Sequence, residues 1–561
     1  HAMDEYVSDN LEPLARTLFA KIKDHRDVVV RRQFLQLLPA LHTSPAIDEV
    51  TKIDGTLIYL MELLRKGEFR GPAFIALGEL AAARPDIQEQ EGWKIDQIFL
   101  YARDSLPSAT ARKSKQQPCV EDALHCVRIL VETYGAVLTP EVQDLLPSIF
   151  ATEIGLCRPL HMALTAIMEN LISVETKQTV RSQLLDMVSK ELTGQGVRAS
   201  IGARLQIEHV VSSPSVGKLP PPIEGHTRRQ LLELAFEILS TFSFGELLNT
   251  TFIDFAVVRY LTEEDAEIRR AAALCCCNAL TRIQRRHDAA SIHLRNNILE
   301  RCLVLATTDL DVELRRAVLA TMANSSEFDD FLAVGKNLRL VFIPMHDEDL
   351  SVRKIAMKLL GRLGRLNPSS AMPSFRKMLV QLLTQLEYNN EQTRKEESVE
   401  LLTTLIRSSH ELVQPYATPI AQSLIAKLEG KTVRVRVAAR MLEALGELVQ
   451  MGAEHMQDHL DALLQIIIDS LQDQSSALKR EIALRALRQL VSGTGTAIQP
   501  YLDHPALMGL LLKVIKQEVA PHVRAEAVRA LGTLGAIDPH VLSMGTREFE
   551  SQNLSDSDEL M

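Results

Sequence analysis

The sequence predicts an all-α fold built as a solenoid, because one helical pattern recurs along most of its 561 residues. The pattern is clearest between His346 and Pro368. Apolar or small residues there lie three, four, seven and eight positions after Val352, on one face of an α-helix. Asp349 suits a helix start, and the residue before a proline seldom continues a helix. This stretch is therefore interpreted as the second helix of a two-helix unit.

The unit recurs with the spacing of a known class of repeat. Its signature is an aspartate, an apolar residue three positions later, then an arginine, and a small residue three positions further on. The basic residues that mark it stand at 269, 315, 353, 394, 436, 479 and 524, at intervals of 46, 38, 41, 42, 43 and 45 residues. Intervals of roughly 40–47 residues are typical of HEAT and armadillo arrays, which form superhelical α-solenoids. An irregular all-helical domain is the alternative.

The charged residues of the signature predict a ladder of contacts between repeats. We expect each aspartate to cap its own helix, and each arginine to form a charge-assisted hydrogen bond with the aspartate of a neighbouring repeat. This role is structural, and the sequence assigns no residue to a partner-binding surface. The predicted ladder residues are Asp265, Arg269, Asp311, Arg315, Asp349, Arg353, Arg436 and Arg524.

Glycine and proline give a second, independent regularity. A glycine stands eight residues after the basic marker and a proline fifteen residues after it in three places. An Ala-Leu-Gly triplet also recurs at 76–78, 444–446 and 530–532. The three glycine and proline pairs are Gly78 with Pro85, Gly361 with Pro368, and Gly532 with Pro539.

The predicted domain organisation has four parts. Residues 4–192 carry N-terminal HEAT repeats and residues 228–540 carry regular ones. Between them, the Gly/Pro-rich insertion 193–227 is expected to be partly disordered, as a passive linker or, alternatively, a partner-docking loop. Residues 541–561 form an acidic, serine-rich tail that we expect to be disordered. His1-Ala2-Met3 resembles a cloning scar, which suggests a piece of a longer protein.

Composition narrows the class of partner. The formal net charge of −10 disfavours nucleic acid as a ligand, because nucleic-acid binding requires a basic face. No run of 18 apolar residues and no signal peptide is found, so we expect a cytoplasmic protein without a transmembrane segment. Apolar residues make up 46% of the chain but aromatic residues only 4%, as expected when helices pack on helices.

The sequence contains no pattern that predicts catalysis or a cofactor. The seven cysteines include no C-x-x-C pair, and the Cys275-Cys276-Cys277 triplet is interpreted as small buried residues of a helix. The Gly430-Lys431-Thr432 stretch lacks the earlier glycine that a phosphate-binding loop requires. We therefore predict no catalytic residue, no metal site and no cofactor.

Residues 330–539 resemble a particular family, the N-terminal HEAT region of the target of rapamycin (TOR) serine/threonine kinases. The most specific block is 528–539, Val-Arg-Ala-Leu-Gly-Thr-Leu-Gly-Ala-Ile-Asp-Pro, because a generic repeat does not fix both glycines and the Asp-Pro end. The other segments that carry the resemblance are 330–333, 337–338, 361–363, 367–368, 372–373, 376–379, 386–387, 414–416 and 445–448.

The resemblance implies a function that the residues alone do not. Its parent would be a large kinase that controls cell growth, with the kinase domain outside this region. The region would then be a non-catalytic scaffold that supports complex assembly and dimerisation and binds a Raptor-type adaptor. Its partners would also include other segments of the kinase or its dimer mate. Its location would be cytoplasmic, with peripheral attachment to lysosomal or vacuolar membranes through the parent complex.

Two other classes of protein remain open. A free-standing HEAT adaptor, such as a phosphatase scaffold or a nuclear-transport receptor, fits the repeat pattern. The uneven repeat lengths and the insertion disfavour the regular phosphatase-scaffold type. An enzyme in its own right is disfavoured because the sequence shows no catalytic constellation.

Overall fold

In a computed structural model of the chain, the structure describes residues 33, 35–39, 53–66, 69–90, 92–106, 119–151, 156–170, 173–193, 228–283, 289–430, 433–495 and 499–535. The predicted tail and nearly all of the predicted insertion lie outside the described residues. The chain divides into two compact units, residues 1–299 and 300–561, which are treated separately below.

The described elements are helices. Short 3-10 turns join several of them, and the described residues include no β-strand. The helices that begin before residue 299 are α1 (Ile53–Lys66), α2 (Arg70–Ala83), α3 (Ile95–Ser105), α4 (Val120–Tyr134), α5 (Thr139–Ala151), α6 (Arg158–Asn170), α7 (Val174–Thr193), α8 (Arg228–Thr241), α9 (Thr250–Ala256), α10 (Ala266–Arg282) and α11 (Ala289–Thr308).

The helices that follow belong to the second unit. They are α12 (Val312–Asn324), α13 (Asp329–Leu332), α14 (Gly335–Val341), α15 (Leu350–Leu366), α16 (Pro368–Tyr388), α17 (Gln392–Ser408), α18 (His410–Val413), α19 (Ala417–Glu429), α20 (Val435–Met451), α21 (Leu460–Gln472), α22 (Ala477–Thr494), α23 (Gln499–Asp503), α24 (Leu507–Gln517) and α25 (Pro521–Gly535).

Helix α15 shows how the repeated pattern becomes local structure. The carboxylate of Asp349 accepts hydrogen bonds from the backbone N–H groups of Ser351 and Val352, at 2.9 and 3.0 Å, which satisfies two donors that a helix start leaves unpaired. The helix ends at Leu366, just before the Asn367-Pro368 pair. Asp265 and Asp311 cap α10 and α12 in the same way.

The second helices of the repeats pack side by side in chain order. In residues 1–299, α2 packs on α4 and α4 on α6, and α8 packs on α10. In residues 300–561 the row is α12, α15, α17, α20, α22 and α25. The first helices, among them α16, α19, α21 and α24, form a second layer against this row. Each helix thus buries its apolar stripe against the other layer and against its neighbours in its own row.

Glycine sets the closest approach between neighbouring second helices. A Cβ atom built on Gly361 of α15 would lie closer than 3.0 Å to the backbone carbonyl of Ser408, at the end of α17. One built on Gly446 of α20 would collide with the side chain of Gln489 on α22. These two glycines therefore let adjacent repeats approach more closely than any other residue would allow.

The three consecutive cysteines of α10 are buried, as the sequence predicts. Burial raises the pKa of the Cys275 thiol well above its ordinary value, so the thiol stays protonated at neutral pH. No helix in the described ranges is both long and apolar enough to cross a membrane.

Candidate interaction surface: the charged ladder and the turn edge

Several marker arginines bind within their own repeat. Three of them, together with Arg70 at the equivalent position of an earlier repeat, each donate a hydrogen bond to the backbone carbonyl oxygen six residues earlier, near the end of the first helix. Basic side chains at this point satisfy carbonyls that a helix end leaves unpaired and oppose its negative dipole end. The pairs are Arg70 with Leu64 at 2.8 Å, Arg269 with Glu263 at 2.7 Å, Arg315 with Asp309 at 2.7 Å, and Arg524 with Glu518 at 2.8 Å.

Arg315 also forms the most buried contact between repeats. Its Nε and Nη2 atoms donate to the two carboxylate oxygens of Asp347, at 2.7 and 2.9 Å. Both side chains are only 7% exposed. Burial alone would favour the protonated acid, but the hydrogen bond from Arg315 keeps the pKa of Asp347 below its ordinary value. This bidentate pair joins the repeat that contains α12 to the repeat that contains α15.

The acceptor of Arg315 is an aspartate of the neighbouring repeat, but it is not the aspartate that caps the helix. It lies two residues before the capping Asp349. The carboxylate of Asp349 is occupied by the helix N-terminus. Asp347 lies in the turn between the two helices, where it accepts the backbone N–H of Asp349 at 2.9 Å and faces Arg315.

A second buried pair joins α22 to the next repeat. The Nε atom of Arg480 donates to Glu518 at 2.6 Å, and this hydrogen bond lowers the pKa of the Glu518 carboxyl. Its Nη1 atom donates to the Asp473 carbonyl oxygen at 2.9 Å. The marker in this repeat is therefore Arg480, one residue after the predicted Lys479, whose ammonium group pairs with Asp473 inside its own repeat.

The remaining predicted ladder residues have other partners. Arg353 pairs with Glu397 of the next repeat at 2.8 Å, and Arg436 pairs with Glu396 of the preceding repeat at 3.1 Å. Arg524 forms no recorded ion pair with any described residue. The carboxylate Oδ2 atom of Asp265 lies 3.8 Å from the Nη1 atom of Arg229 on α8. An aspartate that caps its own helix can therefore also contact a neighbouring helix. Three of the marker arginines thus contact a carboxylate of a neighbouring repeat, and none of these acceptors is a capping aspartate.

Sequence reasoning missed Asp347, Arg480 and Glu518. A signal for the two acids was present, because an acidic residue stands six positions before the marker arginine at 263, 309, 347 and 518. Two positions before the cap, such a carboxylate can accept the backbone N–H of the turn and still face the preceding repeat. This spacing does not identify Arg480, because Asp473 stands six positions before Lys479 whereas Gln474 stands six positions before Arg480.

A prediction for unfolding follows from the Arg480 assignment. Arg480→Ala is expected to lower the free energy of unfolding by about 2–3 kcal/mol, because it leaves the carboxylate of Glu518 buried without its partner. Lys479→Ala removes a more exposed pair and should cost less than about 1 kcal/mol. Chemical denaturation of both variants tests this, and equal losses would contradict the assignment.

The paired carboxylates also predict a dependence on pH. The pKa values of Asp347 and Glu518 are lowered in the folded protein. Their stabilisation is therefore complete above their ordinary values of about 4 and is lost as the pH falls through the lower folded values. We expect the melting temperature to drop below about pH 4, and the Asp347→Asn/Glu518→Gln variant to start lower and fall less steeply. If the melting temperature of the variant fell with decreasing pH as steeply as that of the unmodified protein, the loss of stability in acid would be due to other carboxylates.

Exposed apolar side chains lie at the turns that carry the ladder. Leu310, between Asp309 and Asp311, is 96% exposed, and Val519, next to Glu518, is 87% exposed. Tyr388, at the end of α16, is 78% exposed. We call these three residues, at the turns between first and second helices of residues 300–561, the turn edge. They offer apolar contact area on a backbone that the ladder holds in place.

The described residues provide no arrangement of side chains typical of catalysis. In these ranges, no group of three or more His, Cys, Asp or Glu side chains is placed to hold a metal ion. Most titratable groups with shifted pKa values are members of ion pairs or are buried, and the pKa values of the exceptions Glu191 and His346 are shifted mainly by desolvation. The interactions among the described residues are packing and ion pairing between helices.

Solved structures with a similar architecture include karyopherins. They include Kap95p with RanGDP (TM-score 0.58, 14% identity, 93% of this chain and 62% of that chain). Importin beta gives a TM-score of 0.58 at 13% identity, over 93% of this chain and 63% of that chain. Kap121p bound to Pho4p gives 0.54 at 14% identity, over 98% and 52%. These likenesses establish the fold alone, which is an all-α solenoid of the HEAT-repeat class.

Sequence relatives identify the family within that class. The chain is 32% identical over 96% of its length to the serine/threonine-protein kinase tor1 of Schizosaccharomyces pombe. It is 32% identical over 92% to TOR of Arabidopsis thaliana and 30% identical over 95% to TOR2 of Saccharomyces cerevisiae. A family model described as the serine/threonine-protein kinase mTOR domain matches residues 497–560. The chain belongs to the TOR family and corresponds to its N-terminal HEAT-repeat region.

The match covers only part of each relative. The chain spans about a fifth of their length, 22%, 21% and 22% respectively. The described residues of this region are helical repeats, and the region lies outside the kinase domain of those relatives.

Proposed function

We propose that this chain is a non-catalytic scaffold of a TOR-type kinase, which supports assembly and dimerisation of the kinase complex and binds a Raptor-type adaptor. Membership of the TOR family supports the part of the proposal that places this chain in a TOR-type kinase. The carrying observation is the turn edge, where Leu310 and Val519 stand almost fully exposed on turns fixed by buried ion pairs. A rigid row of exposed apolar anchors suits a large protein partner, because little conformational entropy is lost when it binds.

We expect the partner protein to contact the turn edge and not the charged side chains of the ladder. The ladder charges are satisfied inside the stack, so they are not available to a partner without cost. The side chains of Leu310 and Val519 take no part in these internal pairs, and they contribute little to folding. The other segments of the kinase and its dimer mate are candidates for the same kind of contact. The whole complex would be cytoplasmic and peripheral on endomembranes.

The test is a pull-down of the purified chain with a Raptor-type adaptor, followed by size-exclusion chromatography with light scattering. We expect co-elution at a defined ratio, and at least about tenfold weaker binding for the Leu310→Asp/Val519→Asp variant. Val380→Asp is the matched control, since Val380 is 63% exposed on α16 but lies away from the turns. Wild-type binding by the double variant, or equal loss in the control, would reject the turn edge.

A free-standing HEAT adaptor is the competing function. The karyopherin likeness does not favour it, because the identities are at most 14% among the structures named and show fold alone. The size of the natural polypeptide distinguishes a TOR scaffold from a free-standing adaptor. A parent of about this chain's length, without kinase activity, would overturn the TOR-scaffold proposal.

A further inference from the structure

A groove separates α5 from α7 in the first-helix layer of residues 1–299. Helix α5 packs against α3 of the preceding repeat, but its contact with α7 of the following repeat is less extensive. The groove is open to solvent and has a volume of about 680 Å³, within the range of about 300–1,000 Å³ that is usual for ligand sites. At one position it is bridged by the Nε2 atom of Gln143, which donates to the Oγ1 atom of Thr176 at 3.3 Å. The described residues therefore leave room for an added segment.

The wall that α5 contributes is largely apolar. Leu146, Pro147 and Phe150 line it at helical spacing. Pro147 is exposed inside α5, and it has no backbone N–H to donate to the carbonyl oxygen of Gln143. Proline in a helix interior lowers stability, and packing does not explain an exposed one. Pro147 and the half-buried ring of Phe150 together offer an apolar surface to the groove.

The wall that α7 contributes is polar and almost uncharged. Thr176, Thr179 and Gln183 follow one another at helical spacing and present hydroxyl and amide groups. Glu175 is the one charged side chain among the described residues that line the groove. Sites for polyproline II segments commonly place an aromatic ring beside hydrogen-bonding groups, because the backbone of such a segment has no internal hydrogen bonds. The groove therefore suits a proline-rich peptide with a basic residue next to its prolines.

The chain contains one such peptide. Residues 218–223 are Lys-Leu-Pro-Pro-Pro-Ile, and consecutive prolines occur nowhere else in the sequence. We propose that the groove between α5 and α7 docks residues 218–223 of this chain as a polyproline II segment. The prolines would pack on Pro147 and Phe150. The ammonium group of Lys218 would pair with the carboxylate of Glu175.

The connectivity of the chain supports an intramolecular occupant. Residues 194–227 connect α7 to α8, and α8 packs on α7. From Ile223 to Arg228, the first residue of α8, an extended chain spans at most about 18 Å. Gln183, the last residue of α7 that lines the groove, lies about 15 Å from the end of that helix. The tether also gives the segment an effective concentration of about millimolar, so moderate affinity is enough for docking.

Competition with a labelled peptide of residues 215–226 tests the proposal. In the full chain, we expect the peptide to bind the Pro220→Ala/Pro221→Ala/Pro222→Ala variant at least about tenfold more tightly than the unmodified protein. The reason is that the segment of the unmodified protein already occupies the groove, at a high effective concentration. Fluorescence polarisation measures both affinities.

A second substitution locates the binding site. Thr179→Arg, added to the triple variant, should weaken peptide binding at least about tenfold, because the longer side chain fills the groove and repels Lys218. Gln178→Arg is the matched control, since Gln178 is a neighbour on α7 that does not line the groove. Both residues are exposed, so neither substitution is expected to prevent folding. Equal effects of the two substitutions would place the peptide elsewhere and reject the groove.

Three further outcomes would overturn the proposal. The first is that the triple variant does not bind the peptide. The second is equal affinity of the variant and the unmodified protein, which would leave the groove to a proline-rich segment of another protein. The third is an unmodified protein of doubled mass in light scattering that the triple variant returns to a monomer, which would make a second copy the source of the segment. None of these outcomes depends on adaptor binding, because the turn edge lies in residues 300–561.

Discussion

Replacing Arg315 with alanine is expected to lower the free energy of unfolding by about 3–5 kcal/mol, more than any other single change in the ladder. The guanidinium holds both oxygens of Asp347 and the carbonyl oxygen of Asp309 in a site where both side chains are only 7% exposed. Without it, the carboxylate of Asp347 stays buried and keeps only the backbone N–H of Asp349. The expected loss in the free energy of unfolding therefore comes from a buried charge without a partner, and it does not equal the net contribution of the ion pair to stability.

The measurement should report on individual repeats, because a solenoid can unfold in segments. Hydrogen exchange should show the loss concentrated in α12 and α15, alongside a lower denaturation midpoint. Arg316→Ala is the matched control, since Arg316 is an exposed neighbour on the same helix that pairs with Glu313 of its own first turn. It should cost less than about 0.5 kcal/mol.

A double variant separates charge from geometry. If the penalty comes from the orphaned carboxylate, Arg315→Met combined with Asp347→Leu should recover much of the loss, as replacement of a buried ion pair by apolar residues often does. A double variant no more stable than Arg315→Met alone would mean that the hydrogen bonds themselves hold the two repeats together. Similar losses for Arg315→Ala and Arg316→Ala would contradict the buried ladder.

The repeat architecture was predictable because it depends on local rules. The 3.6-residue periodicity after Val352 fixes the buried face of α15, and Asp349 fixes its start. Spacing of the markers then predicts neighbouring repeats. Each of these signals involves residues close together in sequence, and the solenoid has few contacts that are not between neighbours.

The ladder partners were less predictable, because they depend on how a turn aims its side chains. Asp347 and Asp349 are two residues apart and chemically identical, yet one faces the preceding repeat and the other caps its own helix. Periodicity contains no information on that choice. The same limit applies to Arg436, which pairs with Glu396 of the preceding repeat, whereas Arg353 pairs with Glu397 of the following repeat.

Gly361→Ala is the second change expected to have a large effect, with a loss of about 2–4 kcal/mol. In isolation, alanine would stabilise a helix interior by about 0.5–1 kcal/mol relative to glycine. Here the added methyl group would lie closer than 3.0 Å to the backbone carbonyl of Ser408 and to the Ser409 hydroxyl. Backbone cannot rotate away as a side chain can, so α15 and α17 would have to separate along their contact.

The chain supplies its own control series for this substitution. At Gly446 the colliding group is the side chain of Gln489, which can move only by giving up its hydrogen bond to Glu447, so Gly446→Ala should cost about 1–2 kcal/mol. Gly532 faces open space, and Gly532→Ala should be neutral or stabilising by up to about 1 kcal/mol. The order Gly361, Gly446, Gly532 in denaturant midpoints tests close packing directly, because the substitution and the helical setting are the same in all three. Equal effects at Gly361 and Gly532 would show that helix propensity, and not the approach of the next repeat, selects glycine at this position.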